Sequence, residues 1–257
     1  MNMPPPFQPR FGRAAEEFHR YRPEYPPELF QHILAAVPID RRERAMDLGA
    51  GTGKSTRALL PHFTEVIAVE PDPGMFAKLK AEIPTAIVRN LTAEDCSQPP
   101  SSLDLVTVGN ALHWMDTSRV FAGVRSWLRN DAVFAVYDRP LPKTTPAIDA
   151  ITLAEFRGPW KPHRDPRLKR HLVWQDQVRA APGFRIAEET TFRYIVRMSP
   201  HDYVGFWRST SYGSAFALML SDPETYWRDL QSRFASAAAG APIPVDLSPS
   251  LLLAWKI

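Results

Sequence analysis

Cysteine is almost absent: Cys96 is the only one among 257 residues. An intrachain disulfide framework is therefore excluded, and this usage suits a reducing, cytoplasmic setting. No apolar run approaches the roughly 18 residues that a bilayer span needs, so no membrane partner is expected. Met1 to Gly12 is proline-rich without an apolar h-region and does not read as a signal peptide. Charge of one sign is also scarce. The net charge is +3, and Lys and Arg form no block of five or more. Nucleic-acid binders cluster their basic residues, so nucleic acid is not expected as a partner. A small anionic ligand remains compatible with the mild positive bias. The seven histidines show no metal-type spacing, and no metal is expected. No internal repeat is present.

Hydrophobic residues at 44% suffice for a sizeable core. Pro4-Pro5-Pro6 and Pro9 make residues 1–12 a disordered or extended arm. A helix is predicted over Ala14 to Tyr21, a proline-rich break at Arg22 to Pro27, and a second helix over Glu28 to Val37. Apolar strands are then predicted at Arg44 to Leu48, Glu65 to Val69, Ala86 to Asn90, Leu103 to Val108 and Ala132 to Tyr137. Helices over Lys54 to Phe63, Pro73 to Glu82 and Thr117 to Leu128 separate them. Apolar strands alternating with helices indicate a buried, doubly wound parallel sheet. Beyond residue 140 the rhythm changes. Residues 144–182 and 200–238 read as helical, Phe184 to Val196 as one long strand, and Leu251 to Ile257 as a closing strand. The expected organisation is one α/β domain with a core and N-terminal cover over 13–140. Residues 141–257 add a helical lid and the last two sheet strands.

The strongest local signal is Asp47-Leu48-Gly49-Ala50-Gly51-Thr52-Gly53 at the end of the first strand. Glycines at alternate positions let the backbone turn sharply and approach a ligand, with the following helix N-terminus aimed at it. A dinucleotide fingerprint would need glycine where Lys54 stands, and a phosphate-binding P-loop would need glycine at Leu48. Glu70 ends the second strand, 21 residues after Gly49. A carboxylate there accepts hydrogen bonds from ribose hydroxyls and disfavours a 2′-phosphate.

Asp47 to Gly53, followed by Val66-Ile67-Ala68-Val69-Glu70-Pro71-Asp72-Pro73-Gly74-Met75, resembles class I S-adenosylmethionine (SAM)-dependent methyltransferases. Leu91-Thr92-Ala93-Glu94 is similar to that family's adenine segment, with Thr92 where many members carry Asp. Leu103 to Asp116, with His113-Trp114, resembles the methyltransferase type 11 subgroup that includes the trans-aconitate methyltransferases. The opening Phe11 to Pro26 resembles it too, and Arg208 to Tyr212 does so more weakly. The resemblance implies a Rossmann-like, seven-stranded, mostly parallel sheet with an N-terminal helical cover and a helical insertion before the last strand. It implies SAM as cofactor, with Tyr21, Arg22, Tyr25, Asp47, Gly49, Ala50, Gly51, Gly53, Glu70, Pro71, Met75, Thr92, Ala93, Glu94 and Asn110 around it.

The acceptor is expected beside His113 and Trp114, at the carboxyl edge of the sheet where ligands bind in such folds. His113 takes a proton from the acceptor, hydrogen-bonds a carboxylate, or only shapes the pocket. Trp114 is a pocket wall or a core aromatic. Arg22 and Tyr25 either bind the cofactor or form a surface turn. Trp207, Ser211 and Tyr212 either line the acceptor pocket or pack a helix on the sheet. The expected activity is methyl transfer to a small molecule, at an oxygen of a carboxylate or hydroxyl, by a monomer or homodimer. The alternatives are transfer to nitrogen or carbon of a natural product, and a SAM-binding protein without transferase activity.

Overall fold

Every second residue of the central strands faces the same side, and both sides are covered. The computed structural model describes residues 11–257. The arm expected over residues 1–12 lies outside the described residues except for Phe11 and Gly12. Those two do not form a free arm, since the Phe11 N–H donates to Asp72 and Gly12 opens a short 3-10 turn.

The strands are β1 (Arg44–Leu48), β2 (Glu65–Val69), β3 (Ile87–Arg89), β4 (Leu103–Gly109), β5 (Leu128–Asp138), β6 (Phe184–Thr191), β7 (Ile195–Met198), β8 (Ile243–Asp246) and β9 (Ser250–Lys256). Seven of them form one sheet in the order β3-β2-β1-β4-β5-β9-β6. β1 to β5 pair in parallel, and β9 runs antiparallel between β5 and β6. This is the expected Rossmann-like, mostly parallel architecture.

The helices are α1 (Ala15–Tyr21), α2 (Pro27–Ala35), α3 (Lys54–Leu59), α4 (Pro73–Glu82), α5 (Thr117–Trp127), α6 (Pro146–Arg157), α7 (Trp174–Arg179), α8 (Pro200–Arg208), α9 (Ser211–Ala217) and α10 (Pro223–Ala237). Met46, Leu48, Val106 and Val108 face α5, whose Val120, Phe121 and Val124 complete that core. Ala45, Leu105 and Val133 face the other side, against Leu29, Phe30 and Ile33 of α2. Burying one such side chain contributes roughly 1.5–3 kcal/mol.

Three boundaries differ from expectation. The helix after the glycine turn ends at Leu59 and tightens into a 3-10 turn, Leu60–His62, because Pro61 cannot continue the hydrogen-bond ladder. The single strand expected over Phe184 to Val196 is two strands in two sheets, with β7 paired to the unforeseen β8. The chain turns between them because Phe192 and Tyr194 bond to Pro249 and Ser248 instead of continuing along β9. β8 escaped notice because it is short and contains Pro244. The helical additions come in two pieces, one on each side of β6. They share a separate, aromatic core of Phe156, Trp160, Tyr203, Phe206, Trp207 and Trp227.

Candidate active site

The glycine turn is folded by β2. The Gly49 and Ala50 N–H groups both donate to the Val69 carbonyl, at 2.9 and 3.0 Å, which pulls the chain across the end of the sheet. Gly51 has φ of +59°, and a Cβ there would meet only a Phe18 ring carbon at 3.8 Å. The outer face of the turn is thus open. Gly53 (φ +93°) precedes α3, and a Cβ would lie 2.6 Å from Ile83. The fit therefore demands glycine there on two grounds.

Asp47 holds this turn from below. It is only 1% exposed, and its two oxygens accept from Thr56 (2.7 Å) and Thr107 (2.9 Å). Burial pushes its pKa up to about 6 against these hydrogen bonds. It was expected among the cofactor contacts, and these hydrogen bonds tie β1 to β4 and α3. Glu70 lies beside the turn. Its oxygens accept from the Gly51 and Asp72 N–H groups, both at 2.8 Å. Burial raises its pKa to about 7 in spite of those donors. Each carboxylate oxygen has a second lone pair, so ribose hydroxyls can still donate to it. Pro71 is half-buried, Met75 is buried in the first turn of α4, and Asp72 caps that helix through Gly74 and Met75.

The segment expected beside the adenine is a 3-10 turn, Ala93–Asp95. The Thr92 hydroxyl donates to Asp95 at 2.7 Å, and Glu94 accepts the Asp116 N–H at 2.5 Å. Ala93 is buried beneath them. These polar groups brace the segment against the start of α5. Cys96 follows, buried, with its thiol pushed up to about 11 by desolvation, so it is not a poised nucleophile.

At the carboxyl edge of β4, Asn110 adopts φ of +52°, and its side-chain oxygen accepts the Arg139 N–H at 2.7 Å. His113 is 6% exposed, and its Nδ1 lies 3.9 Å from Oδ2 of Asp138 at the end of β5. Trp114 is half-buried, packed against the rings of His113 (4.8 Å) and Phe11 (5.7 Å). Asp138 and Asp72 were not foreseen. The rule that pointed to Glu70, an acid at or just beyond a strand's carboxyl end, would have found both.

The N-terminal cover divides. Tyr21 points away from the turn: its ring sits on Gly205 of α8, and its hydroxyl pairs with His201 Nε2 at 3.0 Å. It lines an open cleft of about 350 Å³ between α1, α8 and α10, whose lining includes no residue of the glycine turn. Tyr25 packs on Tyr137 with the Arg139 guanidinium 4.0 Å above its ring, and burial raises its pKa. Arg139, also unforeseen, donates to the carbonyls of Pro23 (3.0 Å) and Glu24 (2.6 Å) and fixes the cover to β5.

Arg22 lies 4.0 Å over the Phe206 ring and donates from Nε to Ser209 at 2.9 Å. No described carboxylate lies within ion-pair distance of it. Burial lowers its pKa to about 10, so it stays cationic, and Tyr212 and Tyr25 are its nearby ionisable partners.

Of the lid residues, Trp207 is 1% exposed and edge-packed against Phe156 and Tyr203. Its face of α8 turns into the second core, the packing alternative of the two expected for it. Ser211 and Tyr212 are also buried, but Tyr212 lies close to Arg22 and Arg164. A basic segment also abuts the site: the Arg167 guanidinium lies 5.1 Å over Trp114, and Arg170 donates to the Met115 carbonyl at 3.3 Å. Sequence reasoning missed it because its cations are interspersed with other residues. Among the described residues, no group of three His, Cys, Asp or Glu is placed to hold a metal. No described helix is long and apolar enough to cross a membrane.

Comparison with known proteins agrees with this geometry. The methyltransferase domain family matches residues 46–136. An uncharacterized methyltransferase of Mycobacterium tuberculosis is 40% identical over 119 residues, covering 46% of this chain and 47% of that protein. The chain thus matches about half the length of that relative. The trans-aconitate 2-methyltransferase of Escherichia fergusonii is 33% identical over 113 residues, 40% of this chain and 42% of that one. The solved structure of a candidate type II methyltransferase from Anaeromyxobacter dehalogenans superimposes with a TM-score of 0.72 at 26% identity, covering 91% of this chain and 97% of that chain. Residues 46–136, which include the Gly49 to Gly53 turn and Glu70, thus match a methyltransferase domain, within a fold similar to that of a solved methyltransferase over 91% of the chain.

Proposed function

We propose that the protein is a SAM-dependent methyltransferase acting on an oxygen, carboxylate or hydroxyl, of a small-molecule acceptor. The observation that carries this reading is the grouping of an open glycine turn, a buried carboxylate at Glu70 and the half-buried cation of Arg22, which no carboxylate of the described residues neutralises. This set fits the cofactor's parts. Glu70 accepts from the ribose, the Gly51 turn leaves room for close approach, the Thr92–Glu94 segment flanks the adenine, and Arg22 receives the methionine carboxylate. When bound, SAM supplies a methyl group activated on a sulfonium for in-line displacement. The protein's own contribution is then alignment and exclusion of water. Trp114 walls the acceptor side. His113, oriented beside Asp138, takes up the proton of a hydroxyl acceptor or hydrogen-bonds a carboxylate. The resemblance to trans-aconitate 2-methyltransferase supports oxygen as the acceptor atom. A small acceptor needs neither nucleic acid nor membrane as partner, and a cytoplasmic monomer or homodimer suffices.

Calorimetry with SAM, NAD and ATP tests the cofactor, and product analysis with labelled SAM on a panel of acids, phenols and amines tests the acceptor. SAM binding alone and methylated oxygen are expected. Tight NAD binding without SAM binding would overturn the first claim, and transfer only to nitrogen or carbon the second.

A further inference from the structure

Residues 157–170 carry Arg157, Lys161, Arg164, Arg167, Lys169 and Arg170 against one acid, Asp165. This short stretch holds more excess positive charge than the whole chain's +3, so the rest of the molecule is close to neutral or acidic. The fold does not scatter these cations. The 3-10 turn Pro166–Leu172 packs on the turn Leu112–Trp114, which carries His113.

Their state of pairing differs. Asp165 is 8% exposed, caps the turn through the Arg167 N–H at 2.7 Å and pairs with the Arg167 guanidinium at 3.2 Å. Arg167 is thereby held over Trp114. Arg170 is anchored through a single N–H to the Met115 carbonyl and otherwise reaches solvent. Arg164 is exposed, lies 5.0 Å over the Phe156 ring, and its guanidinium makes neither a hydrogen bond nor an ion pair with the described residues. The Phe156 ring beneath it packs on Tyr212 at 5.2 Å. The cations thus extend from Trp114 to the aromatic cluster of Phe156 and Tyr212. Planar guanidinium groups held on aromatic faces, with N–H donors to spare, suit the oxygens of phosphate or carboxylate groups.

We infer that Arg164, Arg167 and Arg170 form a subsite for a multiply charged anionic group of the acceptor, remote from the atom that is methylated. This rests on the reading of the region beside His113 and Trp114 as the acceptor site. The group is a phosphate chain or a set of neighbouring carboxylates, since either supplies closely spaced anionic oxygens. The subsite draws such acceptors to the mouth beside Trp114 and holds the charged end outside while the reacting end lies by His113.

The test uses the full chain with S-adenosylhomocysteine binding as a separate readout. Tripolyphosphate, citrate and acetate are titrated by calorimetry at low and at physiological salt. Tripolyphosphate, citrate or both should bind, with acetate far weaker, and the triple variant R164Q/R167Q/R170Q should lose about tenfold in affinity or more. The single variant Arg164→Gln, which breaks no internal hydrogen bond, should lose about threefold. It keeps the test valid if the triple variant folds poorly. Lys80→Gln, on exposed α4, should change nothing. Binding of only one polyanion assigns the subsite to phosphate or to carboxylates. No binding of either polyanion, or equal loss in Lys80→Gln, would overturn the subsite. Failure to bind S-adenosylhomocysteine would instead overturn the cofactor reading and leave the anion result standing alone.

Discussion

The sheet half of the molecule and the helical additions beyond β5 bury their side chains by different means. In the sheet half, β-branched and aliphatic residues of parallel strands fill two slabs, and the buried acids Asp47 and Asp104 accept only from groups the fold aims at them. In the additions, Trp160, Trp207, Tyr203 and Trp227 fill a single core, where the Trp160 and Trp207 indole nitrogens and the Tyr203 hydroxyl make no well-formed hydrogen bond. The first construction engages both of those buried carboxylates, and the second fills its core with large flat side chains.

That contrast is open to direct attack. The largest effect is expected from Trp207→Ala, which should cost about 3–5 kcal/mol by cavity formation in the second core. Urea unfolding would measure it, while SAM affinity should stay within about twofold if the two halves are as separate as their cores imply. Equal loss of both would dissolve the distinction.

Next in size is the pH dependence of the SAM-free protein. Asp47 and Glu70 have folded pKa values of about 6 and about 7, above their ordinary 3.8 and 4.5. Between the ordinary and folded values the folded state binds the extra proton, so stability falls as pH rises from about 4 through 7. The fall is on the order of 3 kcal/mol at most for each group. Melting at pH 5 and pH 8 should differ less in Glu70→Gln than in the parent. An unchanged difference would mean that Glu70 titrates normally.

Glu70→Gln should also weaken SAM binding by about ten- to a hundredfold, the range for a lost charge-assisted hydrogen bond. Calorimetry at pH 8, where the parent carboxylate is ionised, would read it. The smallest effect is the most diagnostic. Arg22→Met should leave stability level or slightly raised, because it removes a half-buried cation without a carboxylate partner among the described residues, yet lower SAM affinity about tenfold. A marked loss of stability would recast Arg22 as a packing residue.

How much could be read beforehand follows the same divide. The order of elements up to Asp138, the turn at Gly49 to Gly53 and the acid at Glu70 were all legible, because strand periodicity and glycine geometry are local. The tie of Asp47 to Thr56 and Thr107 was not legible, since nothing local shows those partners. The surroundings of Tyr21 and Trp207 were hidden for a related reason. Each lies on a helix only about two turns long, and which face turns inward depends on partners far away in sequence, Gly205 for one and Phe156 for the other. Arg139 gave no signal at all, as its two carbonyl acceptors lie in a loop more than a hundred residues earlier.

The position of β9 has a consequence for how the chain reaches this state. Val133 of β5 faces Trp255 of β9, nearly half the chain away, and the same strand must then receive β6 on its other edge. The parallel strands can assemble from near neighbours, but they do so with the β5 edge bare and two hydrophobic slabs unfinished. Closing so long a loop is slow, and an uncovered strand edge invites pairing with other chains. The interval before β9 docks is therefore when aggregation competes most strongly with folding. Substitutions that weaken β9 should first appear as poor recovery on refolding, ahead of any change in the finished site.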